Sequence, residues 1–314
     1  MSRISITILG TTAGVPTRER AHAAIYMVYE DGKEYHFLFD CGEGTQRQLI
    51  FAGLNMLKLD DIFITHWHGD HCLGLPGVID TMGFEERVRP LNIYAPDVTR
   101  AVKCLNFRSS ESRFKIVPHR VPDKGSRISA LIDTDRFSII SVPVKHSIPA
   151  VAYALIEKDK ICVDSDKAMK AGLPREGDIY RELKEKGEVF FNGRRIISED
   201  VSVIIKGKKI VYSGDTEICD NLKNIAEDAD ILIQDCTYFD KMHDTRKSGP
   251  VEFKEKRYQH ASFPEVVEFA RANNVKRTVL THISRRYQNA DELRRLVSGY
   301  EGFELASDFL SVVL

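Results

Sequence analysis

Four potential metal ligands fall within six residues, His66-Trp67-His68-Gly69-Asp70-His71, directly after the apolar run Ile62-Phe63-Ile64. Histidine nitrogen with carboxylate oxygen is a donor set suited to zinc and similar borderline metals. Two histidines one residue apart can converge on one cation from the loop leaving a strand, while Asp70 and His71 turn toward a second. A lone histidine is most often a surface or core residue, but this density has no ready structural explanation. Gly69 is expected to allow the tight backbone such a turn requires.

Two cations need further donors. His146, Asp215 and His282 each follow an apolar run, respectively residues 139–144, 209–212 and 278–281. Taken singly, each would be an ordinary loop residue. Their shared placement is where loops meet at one edge of a sheet. An aspartate such as Asp215 can bridge two cations roughly 3.5–4 Å apart, one oxygen to each. Bound cations lower the pKa of water from 15.7 to about 7 and offset charge developing on a phosphodiester oxygen. The chemistry expected is metal-assisted hydrolysis with no covalent nucleophile, using two Zn2+, or Mn2+ or another divalent cation.

The elements that must position these residues fall into two similar halves. Strand patterns cover 4–9, 24–28, 34–39, 61–65 and 91–94, with helical patterns at 43–52 and after Leu73. The second half repeats the theme with strands at 137–142, 150–156, 201–205, 209–212, 231–234 and 277–280, and a helix opening at Pro264, where proline is tolerated. The expected fold is α/β, an αββα sandwich in one domain spanning 1–314. Residues 158–200 are highly charged and interrupted by Gly172, Pro174, Gly177 and Gly187. They read as an inserted arm too polar to build a core.

A chain of 314 residues can bury a large core without covalent staples. The six cysteines contain no C-x-x-C pair, so neither a disulfide framework nor a thiolate zinc site is expected. No stretch approaches the ~20 apolar residues a membrane span needs, and MSRISITILG lacks a signal-peptide pattern. A cytoplasmic protein without membrane contact is therefore expected. With a net charge of −1, any nucleic-acid partner must be drawn by local patches.

At His66-Trp-His-Gly-Asp-His71 the chain resembles the metallo-β-lactamase superfamily, with its signature H-x-H-x-D-H. It is more closely similar to the ribonuclease Z family, over nearly its whole length. The matching blocks are Leu9-Gly-Thr-Thr-Ala-Gly-Val-Pro16, the basic loop Pro16-Thr-Arg18-Glu-Arg20, Phe39-Asp-Cys-Gly-Glu43-Gly-Thr-Gln46, His68 to Gly77, and Thr281-His-Ile-Ser-Arg285-Arg286-Tyr287. The resemblance implies that His66, His68 and His146 hold one metal and that Asp70, His71 and His282 hold the other, with Asp215 bridging. It implies Asp70 as general base and His260 as the proton donor to the leaving 3′ oxygen, a role that suits a group titrating near neutrality.

The same resemblance implies precursor tRNA as substrate, cleaved to leave a 3′ hydroxyl, and a homodimer. Substrate contacts are expected from Arg18, Arg20, Glu43, Gln46, Gly177, Arg285 and Arg286, with Lys254, Lys256 and Arg257 near His260. The chain departs from the family pattern twice. Gln234-Asp235-Cys-Thr237 stands where the family carries His-Glu-Ala-Thr, so Asp235 must orient His260 with a shorter side chain. Gly177-Asp178 stands where the family's arm carries Gly-Pro. The arm's bases Lys167, Lys170, Arg175, Arg181, Lys184, Lys186, Arg194 and Arg195 are nearly balanced by acids, so each is as readily a solvated surface charge as an RNA contact.

The nearest rival is a phosphodiesterase for cyclic nucleotides or other small diesters, which would share the catalytic core but need neither arm nor basic loop. A glyoxalase-type thioesterase matches the opening and closing blocks poorly. A flavodiiron oxidoreductase would carry glutamate where His68 stands and a flavin domain for which no residues remain. A non-catalytic scaffold would have lost ligands that this chain retains.

Overall fold

The computed structural model describes residues 2–100, 114–239 and 259–314. Two seven-stranded sheets form its main unit. The first runs in the order Ser311–Val313, Arg3–Gly10, Ala24–Glu30, Glu34–Phe39, Asp61–Phe63, Leu91–Ala95, Ile116–Arg120. The second runs Phe303–Leu305, Thr278–Thr281, Ile231–Asp235, Lys209–Tyr212, Ala150–Glu157, Phe137–Val144, Ser129–Asp133. Leu38, Ile62, Leu91 and Ile93 face the helices Thr45–Phe51 and Leu75–Phe84, packing on Leu49, Leu75, Val78 and Met82. On the far side, Leu280 and Leu305 pack with Val266 of the helix Phe263–Ala272 and Leu293 of the helix Ala290–Ser298. This is the expected αββα sandwich.

Alternation along the first sheet turns Phe37, Phe39, Phe63 and Tyr94 to the opposite face, between the sheets. There Phe39 stacks on Phe63 at 4.9 Å and Phe63 on Tyr94 at 4.7 Å, while Tyr153 of the second sheet meets Phe63 edge-on at 5.4 Å. Such pairs add about 0.5–1.5 kcal/mol each beyond area burial. The Tyr153 hydroxyl donates to the Ile64 carbonyl at 2.7 Å, fixing the start of the ligand loop to the second sheet.

Strand direction decides where the site forms. The strands Glu34–Phe39 and Asp61–Phe63 are parallel neighbours, and so are Lys209–Tyr212, Ile231–Asp235 and Thr278–Thr281. Their carboxyl ends release Asp40, His66, Asp215, Asp235 and His282. Ligand sites gather at such ends because the loops there converge.

Residues 134–138 and 156–208 form a second compact unit. Contrary to the reading of 158–200 as too polar for a core, Ala168, Leu173, Leu183, Val189, Ile196 and Val201 are buried together in it. The strand expected at 201–205 also changes place. As Ser202–Ile205 it pairs antiparallel with Lys160–Val163 and joins neither large sheet. Strand pairing is a long-range choice that apolar alternation alone does not encode. A hairpin, Glu188–Phe191 with Arg194–Ile197, turns at Asn192-Gly193, both at positive φ. Among the described residues, no helix is long and apolar enough to cross a membrane.

Candidate metal centre

The seven candidate ligands lie in two groups that share one residue. His66, His68, His146 and Asp215 form one, and Asp70, His71, Asp215 and His282 the other, with the donor atoms of each group within 4.8 Å of one another. In the first, His68 Nδ1 lies 3.0 Å from His66 Nε2 and 3.1 Å from His146 Nε2. In the second, Asp215 Oδ1 lies 3.2 Å from His71 Nε2, and Asp215 Oδ2 lies 3.1 Å from His282 Nε2. The same Oδ2 is 3.6 Å from His66 Nε2, so the Asp215 carboxylate faces both groups.

The histidines are turned by hydrogen bonds on their outer nitrogens. His71 Nδ1 donates to Asp40 Oδ2 at 2.7 Å and His146 Nδ1 to the Gln259 carbonyl at 3.2 Å. The Thr65 hydroxyl donates to Asp40, which leaves its oxygen to accept from His66 Nδ1 at 2.9 Å. Thr237 repeats this between Asp235 Oδ1 at 2.7 Å and His282 Nδ1 at 2.9 Å. Each of these four rings therefore turns Nε2 inward, the orientation from which it would ligate a metal. Among the described residues, buried His71 Nε2 faces only the Asp215 and Asp70 carboxylates. These observations fit a pair of divalent cations.

The two groups differ in charge: burial keeps His66 and His146 neutral, while the carboxylates around His282 favour positive charge there. Burial holds the His66 pKa well below the ordinary histidine value, with His71 adding to the effect, and burial also pushes His146 down to about 4. Burial opposes the charged form of His282, but Asp215, Asp235 and Asp70 outweigh it and raise its pKa to about 10. Likewise burial works against ionised Asp70, and hydrogen bonding from His282 with the charge of His71 overcomes it. Asp70 Oδ2 also accepts the Gly14 N–H at 2.8 Å. The loop has little room. A Cβ on Gly42 would meet the Asp70 carbonyl oxygen at 2.2 Å, and one on Gly214, at φ 57°, would meet Thr65.

His260 and Asp235 adjoin this cradle. His260 Nδ1 donates to Asp235 Oδ2 at 2.7 Å, and its ring centroid is 5.1 Å from those of both His146 and His282. Burial lowers the His260 pKa, but Asp235 more than reverses this and raises it above the ordinary value. Asp235 and His260 also lie near Asp215 and His282. However, Asp235 already accepts from Thr216 N–H, Thr237 N–H, the Thr237 hydroxyl and His260 Nδ1, which commits both its oxygens.

The sequence reading missed Asp40, Thr65, Thr237 and Tyr212. Fully buried Asp40 accepts from Thr65 N–H at 2.8 Å, His71 and the Tyr212 hydroxyl at 2.7 Å. Its one signal is an acid directly after the apolar end of a strand. Gly69 needs correction. It opens the short helix Gly69–Cys72 and is not at positive φ, and a Cβ there would crowd Leu73 instead.

The expected substrate contacts divide. Arg18, Arg285 and Arg286 are exposed. Arg20 donates to Thr11 Oγ1 at 2.7 Å and the Ala306 carbonyl at 2.8 Å, which pins its loop to the C-terminal segment. Gln46 is hydrogen-bonded to Thr81, tying two helices together, and exposed Glu43 lies 3.9 Å from buried His22. Gly177 lies in the second unit at φ 145°. There Lys167, Arg181, Lys186 and Arg195 are paired internally, while Lys170, Arg175, Lys184 and Arg194 are exposed. Lys254, Lys256 and Arg257 lie outside the described residues.

Comparison with known proteins places this geometry. Residues 4–176, over half of the chain, match the family model described as anti-Pycsar protein Apyc1, and residues 191–283 match that of the beta-lactamase superfamily domain. A ribonuclease Z of Methanococcus maripaludis is 37% identical over 99% of this chain and 95% of its own length. The chain belongs to the ribonuclease Z family. Over its matched residues it also falls within the sequence family of the first model. Another ribonuclease Z, from Archaeoglobus fulgidus, is 35% identical over 98% of this chain and 96% of its own length. Among solved structures, the human short-form tRNase Z superposes with a TM-score of 0.68 at 27% identity, covering 98% of each chain. Family membership thus spans the cradle, the His260–Asp235 pair and the second unit.

Proposed function

We propose that this chain is a metal-dependent endoribonuclease that removes the 3′ trailer from precursor tRNA, leaving a 3′ hydroxyl, and that the two ligand groups, which share Asp215, would hold two Zn2+ per subunit. The observation that carries this reading is the His260–Asp235 pair set against the cradle. Hydrolysis at a metal pair needs a proton for the departing oxygen, and this pair lies where it can supply one. Two divalent cations, when bound, acidify water and offset charge on the phosphoryl oxygens. Asp70 takes the proton of the attacking water. With Nδ1 held by Asp235, His260 carries a proton on Nε2 to the leaving 3′ oxygen.

Arg18, Arg285 and Arg286 contact the RNA near the cut, with Glu43 at the rim, while Arg20 and Gln46 hold the loops that frame it. The unit around Gly177 takes the body of the tRNA, whose helices are read by shape and backbone. Its exposed bases are the available contacts, Asp178 replacing the expected proline. The working state is a cytoplasmic homodimer. The test is incubation of the zinc-loaded protein with a 3′-extended precursor tRNA and, separately, with bis(p-nitrophenyl) phosphate, using His68→Ala as control. One cut after the last mature nucleotide, absent in the control, is expected. Hydrolysis of the small diester with the tRNA left intact would move the function to cyclic nucleotides or other small diesters.

A further inference from the structure

Beside His260 lies Tyr238, to which the mechanism gives no role, next to Arg286, to which it gives only a general contact with the RNA. The Tyr238 ring centroid is 6.4 Å from that of His260, nearly perpendicular at 80°. The Arg286 guanidinium carbon lies over the Tyr238 ring at 5.2 Å, and its Nε donates to Ser284 Oγ at 3.2 Å. Both are held from below. The Tyr238 carbonyl accepts the Phe263 N–H at 2.7 Å, and the next N–H, of Phe239, donates to the Tyr287 hydroxyl at 2.9 Å. Phe239 itself packs between Phe263 and Tyr287. The result is an exposed guanidinium plane backed by an aromatic ring on a fastened loop.

We infer that Tyr238 and Arg286 form a stacking platform for the base of the nucleotide whose 3′ oxygen leaves, the last nucleotide of the mature tRNA. This rests on the endoribonuclease reading. His260 serves the leaving oxygen, so the nucleotide carrying that oxygen lies on the His260 side, where the platform is. Unpaired RNA bases are held by stacking on aromatic rings and guanidinium planes. Every base has a π-face, so such a platform tolerates all four bases and favours purines by their larger overlap.

The test uses the zinc-loaded protein and a precursor tRNA with 2-aminopurine as its last mature nucleotide, made uncleavable by a 3′-methylene phosphonate at the cut. Binding quenches the fluorescence in the wild type and in Tyr238→Phe, and the quench is mostly lost in Tyr238→Leu and Arg286→Ala. On cleavable precursor the latter two raise KM about tenfold or more, with a smaller change in kcat. In Tyr238→Leu, hydrolysis of bis(p-nitrophenyl) phosphate stays at the wild-type rate. Bound RNA without quenching in the wild type, or equal losses on both substrates, overturns the platform. A wild type that neither binds nor cuts the precursor overturns the endoribonuclease reading itself, and the platform with it.

Discussion

Asp40 and Asp235 occupy equivalent places in the two sheets, and the difference between them separates two tasks. Each follows the last residues of a parallel strand or ends one, and each is fully buried. Each accepts a backbone N–H, a threonine hydroxyl that passes the contact to one histidine, and Nδ1 of a second histidine directly. In the first half both histidines, His66 and His71, are cradle residues with no solvent exposure. In the second half His282 belongs to the cradle, but His260 keeps 16% of its side chain exposed and stands beside it. One device thus fixes two candidate ligands in one half, and one candidate ligand with the proposed proton donor in the other.

The largest effect is expected from Asp40→Ala. It strands the Thr65 N–H, the Tyr212 hydroxyl and His71 in the interior, which costs roughly 3–5 kcal/mol. Denaturant melts should show this loss, and elemental analysis should find less than one zinc bound. Next comes His260→Ala, for which kcat on precursor tRNA falls about 10²–10⁴-fold with zinc content and melting point near wild type. Loss of zinc in that variant would erase the distinction between the two halves. Thr65→Val and Thr237→Val each remove one relay, and a chelator competition should find zinc affinity lowered roughly 10–100-fold. Equal effects from both would fit the shared design, whereas an unaffected Thr237→Val would limit it to the first half.

The smallest effect concerns Asp61, a carboxylate at the opposite, amino end of the strand Asp61–Phe63, with no such threonine relay among the described residues. Burial raises its pKa to about 6, with Asp60 adding to the rise and the Asn92 amide at 2.9 Å and the charge of Arg87 opposing it. Its folded pKa lies above the unfolded 3.8, so the stability it contributes is full below that value and is lost as pH rises to about 6. Asp61→Asn should therefore stabilise the protein by about 1–2 kcal/mol at pH 8 and by nothing measurable near pH 3.5, judged by paired melts. A constant difference across that range would refute the shift.

The seven residues of the cradle were legible in the sequence because four of them crowd one loop and the others end apolar runs. Asp40, Thr65 and Thr237 were not, because each acts through a residue distant in sequence and carries no local signature. The strand at 61–65 stops at Phe63 for the same reason, since Thr65 N–H turns to the Asp40 carboxylate and leaves the ladder. In the second unit, Asn192-Gly193 between Phe190-Phe191 and Arg194-Arg195 is a hairpin signal that charge density obscured. Its core of Leu183, Val189 and Ile196 is spread too thinly along the chain to register as a pattern.

The division of labour is tested most directly by giving the enzyme a leaving group that needs no proton. A precursor tRNA with sulfur in place of the bridging 3′ oxygen at the cut should be cleaved by His260→Ala at close to the wild-type rate. Asp40→Asn should stay inactive on both substrates. If His260→Ala remains as slow on the sulfur-linked precursor as on the natural one, His260 is not the proton donor, and the separation of roles between the two carboxylates fails.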